Sequence, residues 1–227
     1  NPPYLIESWI VGTPLDNALA DRKNDQTKLG HSTGAALAEI HAHTFPRAAL
    51  FGPKLSLAHP FAPGATGFLS IMETFLNNRA ADRLGEQLAH KLRATIKKAA
   101  PHLNDLPDQA CLVHSDFNPA NLMTSKSMIS GVMDWEFCHA GNPLTDIANM
   151  LRPRNYQSAA FDDAFICAYE EIKGPLPDHW QPLSRLLDLT SQVEMLDAAQ
   201  VRPNLFIWAK ERIRNSIDFI QEALLTP

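Results

Sequence analysis

Three oxygen-bearing side chains in the middle of the chain have the types and the spacing needed to bind a metal ion and orient a hydroxyl group. The stretch 112–123 reads LVHSDFNPANLM and places Asp116 and Asn121 five residues apart, and Asp134 ends the next apolar segment. Carboxylate and amide oxygens bind Mg²⁺, and a further carboxylate can orient or deprotonate an acceptor hydroxyl. The pattern indicates phosphoryl transfer, with Asp116 as the base or orienting group and Asn121 and Asp134 as metal ligands.

Short strands are predicted to position these residues, and helices to form the rest of the chain. The apolar pieces CLV, NLM and ISGVM within 111–135 are separated by polar loops, which is typical of hairpins that present chemistry at their ends. Helical spacing of apolar residues recurs elsewhere, in 25–44, 66–84, 86–100 and three segments after residue 157. The Pro- and Gly-rich stretch 46–64 is interpreted as a long connection between helices. The fold class predicted is mainly α with short β-hairpins, which carry the site at 112–136.

Composition and charge limit the classes of function. A chain of 227 residues that is 45% apolar can build a substantial core in one large domain or two small ones. The net charge of −5 disfavours nucleic acid or an anionic membrane as a partner, and no apolar run is long enough to span a bilayer. The three cysteines have no CxxC spacing, which disfavours structural zinc and favours a reduced, cytoplasmic compartment.

Five motifs resemble those of one enzyme family. HSDFNPAN at 114–121 resembles the H-x-D-x-x-x-x-N catalytic loop of kinases, and MDWE at 133–136 stands where D-F-G would fall. HAGNPLTDIANML is similar to the G-D-P-x-x-D-L-A segment of the aminoglycoside phosphotransferase and choline kinase family. YLIESWIVGTPL and LAEIHAHTF are similar to that family's hinge and its L-x-x-L-H helix. The resemblance covers nearly the whole chain and implies a protein-kinase-like fold.

Departures from the kinase pattern refine this expectation. Ser115 and Glu136 replace the Arg of H-R-D and the Gly of D-F-G, and the chain leaves no room for a long activation loop after Asp134. The resemblance therefore implies a small-molecule kinase rather than a protein kinase. The sequence contains no G-x-G-x-x-G, Walker A or V-A-I-K motif. We expect a C-terminal lobe at 13–227 with the N-terminal lobe largely absent, a hinge strand and linker at 1–12, and no kinase activity from this chain alone.

The resemblance also implies cofactors and roles for individual residues. The cofactors are ATP and Mg²⁺, and the acceptor is a hydroxyl of a small molecule such as an aminoglycoside, an amino alcohol or a sugar. The backbone of the hinge, at Ser8, Trp9 and Ile10, would bind the edge of the adenine. Leu122 and Met123 would form part of the apolar floor beneath it. His114 and Asp146 would brace the catalytic loop, with Asp146 accepting backbone N–H groups.

Each of these roles has a structural alternative. Asp116 can be an ordinary turn residue, Asn121 a cap, and Asp146 a carboxylate in the first turn of a helix. Glu136 is a candidate for contact with metal or substrate, and three carboxylates on a late helix are candidates for contact with a cationic acceptor: Asp188, Glu194 and Asp197. For all four, a position on the solvated surface is the favoured alternative. His41 and His43 are two residues apart, so on a helix they face different directions and are not expected to form a metal pair.

Two other classes of function stay open from the sequence. A catalytically inactive family member would act as a nucleotide- or small-molecule-binding module. The absence of a phosphate-loop motif from the sequence favours this alternative, whereas the presence of Asp116, Asn121 and Asp134 disfavours it. A metal-dependent hydrolase would use the same carboxylates but would call for a close His–Asp cluster, and the sequence contains no such spacing.

Overall fold

Helices make up most of the chain in the computed structural model, which describes residues 8–226. The helices are Leu15–Ala20 (α1), Gln26–Ile40 (α2), Gly64–Leu76 (α3), Arg79–Leu84 (α4), Glu86–Ala99 (α5), Leu144–Met150 (α6), Ala159–Lys173 (α7), Trp180–Asp197 (α8) and Pro203–Ile220 (α9). The strands are Thr13–Pro14 (β1), Thr44–Phe45 (β2), Ala49–Phe51 (β3), Leu57–Pro60 (β4), Ala110–Val113 (β5), Leu122–Ser125 (β6), Met128–Val132 (β7) and His139–Gly141 (β8). The predicted mainly helical fold with short hairpins is confirmed.

The strands form two small antiparallel sheets, ordered β1-β6-β7 and β2-β5-β8-β3-β4. The three predicted strand segments correspond to β5, β6 and β7. The stretch 46–64 does lie between the helices α2 and α3, but it also contributes β3 and β4 to the larger sheet, which the sequence analysis did not predict. Proline is tolerated there because β4 is an edge strand and Pro60 stands at its end. The stretch therefore packs beside β8, which is the strand that follows Asp134 in the sequence.

Helices α2 and α7 are in close contact, because two glycines on α2 leave no side chain between the two backbones. Gly30 and Gly34 lie one turn apart on α2, and a Cβ at these positions would lie 2.3 Å from the Phe161 carbonyl oxygen and 2.1 Å from that of Phe165. Both helices begin at a capping side chain, since Asp25 accepts from the backbone of α2 and Ser158 from that of α7. The two helices therefore form a fixed pair whose C-terminal ends face the site.

The core lies among the long helices and was foreseen by their apolar periodicity. Its most deeply buried side chains come from almost every helix and include Leu37, Met72, Leu92, Phe165, Leu186 and Ile213. The pattern 66–84 was predicted as one helix, but the chain breaks at Asn77 and Asn78 into α3 and α4. Among the helices described, none combines the length and the apolar composition that a membrane crossing requires.

The beginning of the described chain runs beside the smaller sheet. Residues 8–12 have no strand assignment, and β1 begins only at Thr13, where it pairs with β6. The predicted hinge strand and linker at 1–12 lie partly outside the described residues, and their described part is irregular.

Candidate active site

One β-hairpin brings two of the predicted metal ligands to the same end. Leu122 at the start of β6 pairs with Val132 at the end of β7, and the Met133 N–H donates to the Asn121 carbonyl oxygen over 2.9 Å. Asn121 therefore stands one residue before the paired strands and Asp134 two residues after them. The hairpin register converts a separation of thirteen residues in sequence into adjacency of the two loops.

The Asn121 side chain has a defined orientation. Its Nδ2 donates to the Asp116 carboxylate Oδ2 over 2.8 Å and to the Asp116 carbonyl oxygen over 2.9 Å. The amide oxygen is thereby left as an acceptor, because an Asn amide can offer its nitrogen to only one side. Within residues 8–226 no donor bonds to this oxygen, and an unbonded amide oxygen is a suitable ligand for a hard cation.

Asp116 is held by two amides rather than by a cation. Asn118 donates to Oδ1 over 2.8 Å and Asn121 to Oδ2, so that each carboxylate oxygen has one donor. The capping role considered for Asn121 belongs instead to Asn118, whose side chain accepts from the Ala120 N–H at the start of a 3₁₀ turn. The half-buried Asp116 carboxylate is therefore oriented and still able to accept a further hydrogen bond.

Asp134 adopts a conformation that is uncommon for a side-chain-bearing residue. Its φ and ψ are 58° and 56°, in the left-handed region, which aspartate tolerates better than most residues. The side chain is exposed, does not cap the following 3₁₀ turn and accepts no hydrogen bond from the residues described. Backbone strain of this kind is frequent at functional sites. The conformation leaves the carboxylate free at the end of β7.

His114 and Asp146 tie the catalytic loop to the interior. Asp146 is fully buried, and its two carboxylate oxygens accept the backbone N–H groups of His114 and Ser115, each over 2.8 Å. His114 donates from Nε2 to the Met133 carbonyl oxygen over 2.7 Å and accepts at Nδ1 from the Asp116 N–H. This is the geometry that a brace between the two loops requires. Asp146 also lies in the first turn of α6, so the alternative role considered for it from the sequence applies as well.

Two further residues complete this network: His41, which the sequence analysis considered only as a metal ligand, and Tyr169, which it did not single out. His41 Nε2 lies 3.1 Å from Asp146 Oδ2, and His41 Nδ1 lies 2.9 Å from the Tyr169 hydroxyl. Because the carboxylate is an acceptor, Nε2 carries the proton and Nδ1 accepts the tyrosine O–H. Burial raises the pKa of Tyr169, which keeps the hydroxyl protonated. The His of LAEIHAHTF was the available signal, whereas Tyr169 had only a core pattern.

The proposed adenine-side residues lie beside the hairpin to different degrees. Ile10 packs against β7, where a Cβ at Gly131 would lie 2.6 Å from its Cδ1. Pro14 of β1 is opposite Met123, so the chain after the hinge lines the strand that carries Met123. Ser8 and Trp9 are exposed. Leu122 points into the hydrophobic core and is not available to a ligand, which corrects its proposed place in the adenine floor.

The late carboxylates do not form one surface. Asp188 is buried and binds Arg152 over 2.6 Å, so neither acceptor contact nor a solvated face describes it. Asp197 accepts from the Asn78 side chain and the Arg79 N–H, where it joins α8 to α4. Glu194 is accessible to solvent, and desolvation by the surrounding protein, together with the nearby Asp197, raises its pKa. Glu136 is exposed beside Asp134.

The described residues offer few other metal ligands. Within residues 8–226, no group of three or more His, Cys, Asp and Glu side chains is arranged to hold an ion. A cation at Asn121 and Asp134 would therefore take its remaining ligands from water and from phosphate, which is how Mg²⁺ is usually bound in phosphoryl-transfer sites. The side chains present fit Mg²⁺ held together with a nucleotide.

Comparisons with known proteins identify relatives of the chain. A family model described as the phosphotransferase enzyme family matches residues 2–184. Viomycin phosphotransferase of Streptomyces vinaceus is 27% identical over 159 residues, which cover 65% of this chain and 49% of that protein. The chain thus spans about half the length of this curated relative.

Solved structures share the fold. Aminoglycoside phosphotransferase APH(4)-Ia, in a ternary complex with AMP-PNP and hygromycin B, aligns with a TM-score of 0.65 and 19% identity over 92% of this chain and 70% of its own. Macrolide 2′-phosphotransferase MphH from Brachybacterium faecium aligns with a TM-score of 0.55 and 15% identity over 100% of this chain and 74% of its own. The predicted protein-kinase-like fold is confirmed.

Proposed function

Because the chain belongs to the phosphotransferase enzyme family, we propose that the protein carrying it transfers the γ-phosphoryl group of ATP to a hydroxyl of a small molecule. This proposal rests on the different roles of the amide nitrogen and the amide oxygen of Asn121 at one end of the hairpin. The Asn121 amide nitrogen fixes Asp116, which leaves the amide oxygen at the same end of the hairpin as the unpaired Asp134 carboxylate. An orienting carboxylate beside a cation site is what transfer to a hydroxyl needs.

Asn121 and Asp134 would hold Mg²⁺ through oxygen atoms. When bound, the metal and the nucleotide supply the transferable phosphoryl group and neutralise its charge. The protein's own contribution is position, because the hydrogen bond between Met133 and Asn121 fixes the spacing of the two loops. Ile10 and Met123 would contact the adenine, since they flank the same strand pair.

Asp116 would accept the hydrogen bond of the acceptor hydroxyl and orient its oxygen toward the phosphoryl group. Hydrogen bonds from Asn118 and Asn121 restrict the rotation of the carboxylate. Such positioning removes entropy from the reaction coordinate before the chemical step. Asp146, His41 and Tyr169 act behind the loop and would keep Asp116 in place.

The acceptor class follows from the relatives. One relative is named for viomycin, and one structural neighbour was solved with hygromycin B, so small polar hydroxyl compounds are the first candidates. Aminoglycosides, amino alcohols and sugars share these hydroxyl groups. Exposed Glu136 and Glu194 are candidates for contact with a cationic acceptor. We place the reaction in the cytoplasm, where ATP and Mg²⁺ are supplied.

A nucleotide-consumption screen of the full-length protein tests the proposal. The wild type and Asp116→Asn are each assayed with ATP, Mg²⁺ and a panel of peptide antibiotics, aminoglycosides, amino alcohols and sugars. We expect at least one acceptor to stimulate ADP release in the wild type alone, with a phosphorylated product detected by mass spectrometry. Nucleotide binding without any phosphorylated product across the panel would favour a binding module, and equal turnover by Asp116→Asn would refute the proposed role.

A further inference from the structure

A second polar site lies away from the catalytic loop, between the segment after α6 and the helices α8 and α9. A cavity of about 170 Å³ is lined by Pro153, Arg185, Trp208, Glu211, Arg212 and Asn215. None of the proposed catalytic or metal residues lines it. Two arginines facing one small cavity suggest an anion as its ligand.

The positive charge around this cavity exceeds the negative charge available to it. Four guanidinium groups lie close enough to affect one another, those of Arg152, Arg154, Arg185 and Arg212. Of the carboxylates near these groups, the buried Asp188 is bound by Arg152, and Asp162 acts on Arg154 and Arg185. Burial and the neighbouring guanidinium groups lower the pKa of Arg212 to about 10. Clustered, partly buried cations normally have anionic partners.

The hydrogen-bond donors of the two lining arginines are largely unused. Arg212 Nη2 donates to the Pro153 carbonyl oxygen over 2.5 Å, whereas its Nε is buried without a partner among the described residues. Arg185 makes one long bond, from Nη2 to the Leu151 carbonyl oxygen over 3.4 Å. Neither forms an ion pair with a described carboxylate within 4.0 Å. Unpaired buried donors cost free energy unless a ligand or water satisfies them.

Stacking fixes one guanidinium plane. The Arg212 Cζ lies 4.3 Å from the centre of the Trp208 ring. A guanidinium held on an aromatic face keeps its N–H edge available for a planar or tetrahedral oxyanion, which it can bind with two parallel hydrogen bonds. Arg154 is different, because its donors are used by the carbonyl oxygens of Met150, Arg152 and Asn149.

We propose that this cavity, lined by Arg185, Trp208 and Arg212, binds a phosphate-type oxyanion, either free phosphate or the phosphate group of a small monoester. Arg185 and Arg212 supply the charge and the paired donors, and the exposed Asn215 adds a neutral donor at the rim. Glu211 is the carboxylate that lines the cavity and opposes binding. The site is independent of the phosphotransferase activity proposed above.

Phosphate titration without divalent metal tests the site, because EDTA keeps phosphate from the proposed magnesium site. Binding to the full-length protein is measured by calorimetry and by thermal unfolding, with chloride at equal ionic strength as the reference. We expect phosphate to bind and to raise the melting temperature beyond the chloride value. Arg212→Gln and Arg185→Gln should each weaken binding about tenfold or more, since each removes charge-assisted bonds. Arg214→Gln, an exposed arginine on the same helix, should change it less than about twofold.

Glu211→Gln supplies a test of opposite sign. Removing this carboxylate should tighten phosphate binding, whereas a structural role of the cavity would leave it unchanged. Glycerol 2-phosphate in place of phosphate distinguishes the two sources of the oxyanion, and binding of either supports the site. No calorimetric binding by the wild type, or an equal loss in Arg214→Gln and Arg212→Gln, would overturn the proposal whatever the stability of the variants.

Discussion

Asp116 and Asn121 depend on each other at the scale of single residues. The Asn121 amide gives its nitrogen to Asp116 and thereby presents its oxygen elsewhere. The spacing of the two residues was readable from the sequence because both stand in one short loop. The orientation of the amide was not, since it depends on which neighbour takes the N–H₂ group.

Asp116→Asn tests the orienting carboxylate. The substitution removes the negative charge and replaces one of the two acceptor oxygens with an N–H₂ group, which then faces the donor of Asn118 or Asn121. We expect kcat of the full-length enzyme to fall about 10²-fold or more, with nucleotide affinity little changed. The exposed Asp218→Asn serves as a control. A variant that kept kcat but lost nucleotide affinity would show that Asp116 is a metal ligand instead.

Asp134 permits a separation of backbone and metal effects. Asp134→Asn keeps a residue that tolerates left-handed backbone, whereas Asp134→Gly relieves that conformation. Both should weaken Mg²⁺-dependent AMP-PNP binding, because both remove the carboxylate charge. Only Asp134→Gly should raise the melting temperature. Unchanged Mg²⁺ dependence in both variants would remove Asp134 from the proposed site.

At the scale of elements, the pairing of α2 and α7 positions the catalytic loop from behind. The glycine contacts bring the ends of these helices together, so that Tyr169 reaches His41 and His41 reaches Asp146. Apolar periodicity predicted both helices and nothing about their contact, because glycine-mediated approach is a property of the pair. The short strands β3 and β4 were not predicted for a similar reason. They are stabilised by the pairing of β3 with β8, which is distant in the sequence.

Gly34→Ala tests this packing. The added methyl group would lie 2.1 Å from the Phe165 carbonyl oxygen, a backbone atom that can move only with α7. We expect the free energy of unfolding to fall by about 2–3 kcal/mol, measured by urea denaturation. Glu39→Ala on the exposed side of α2 should change it by less than about 0.5 kcal/mol. Equal stability of the two variants would show that the helices do not touch there.

Tyr169→Phe tests the transmission from helix to loop. Losing the hydroxyl leaves His41 Nδ1 buried without its donor, at a cost of about 1–3 kcal/mol in stability. Because Asp146 is then less firmly held, we expect kcat to fall several-fold while the KM for ATP stays constant. A loss of stability with unchanged kcat would restrict Tyr169 to a structural role.

At the scale of the whole molecule, charges in the interior connect elements that are distant in sequence. Asp188 on α8 accepts hydrogen bonds from Asn149 on α6 and from Arg152 just after α6. It therefore joins α8 to the helix that also contains Asp146. The sequence predicted the helices and left open whether Asp188 was solvated or bound a ligand. The partner of a buried charge cannot be identified from one sequence, because its position is set by tertiary packing.

Removing one member of the Arg152–Asp188 pair should destabilise the fold more than removing both. Arg152→Met leaves a buried carboxylate without its cation, and we expect a loss of about 3–5 kcal/mol in the free energy of unfolding. Arg152→Met combined with Asp188→Leu should recover much of this loss. A double variant no more stable than Arg152→Met alone would mean that packing, and not the stranded charge, causes the effect.

The same pair predicts how stability depends on pH. Burial alone would raise the pKa of Asp188, but the charge and hydrogen bonds of Arg152, with a bond from Gln192, outweigh it and lower that pKa below its ordinary value. A carboxylate with a depressed folded-state pKa stabilises the fold above its unfolded pKa of about 3.9, and this contribution is lost as the pH falls further. Unfolding free energies between pH 3 and pH 7 should therefore fall on the acid side less steeply in the Arg152→Met/Asp188→Leu variant than in the wild type. Identical slopes would show that other carboxylates carry the acid sensitivity of the molecule.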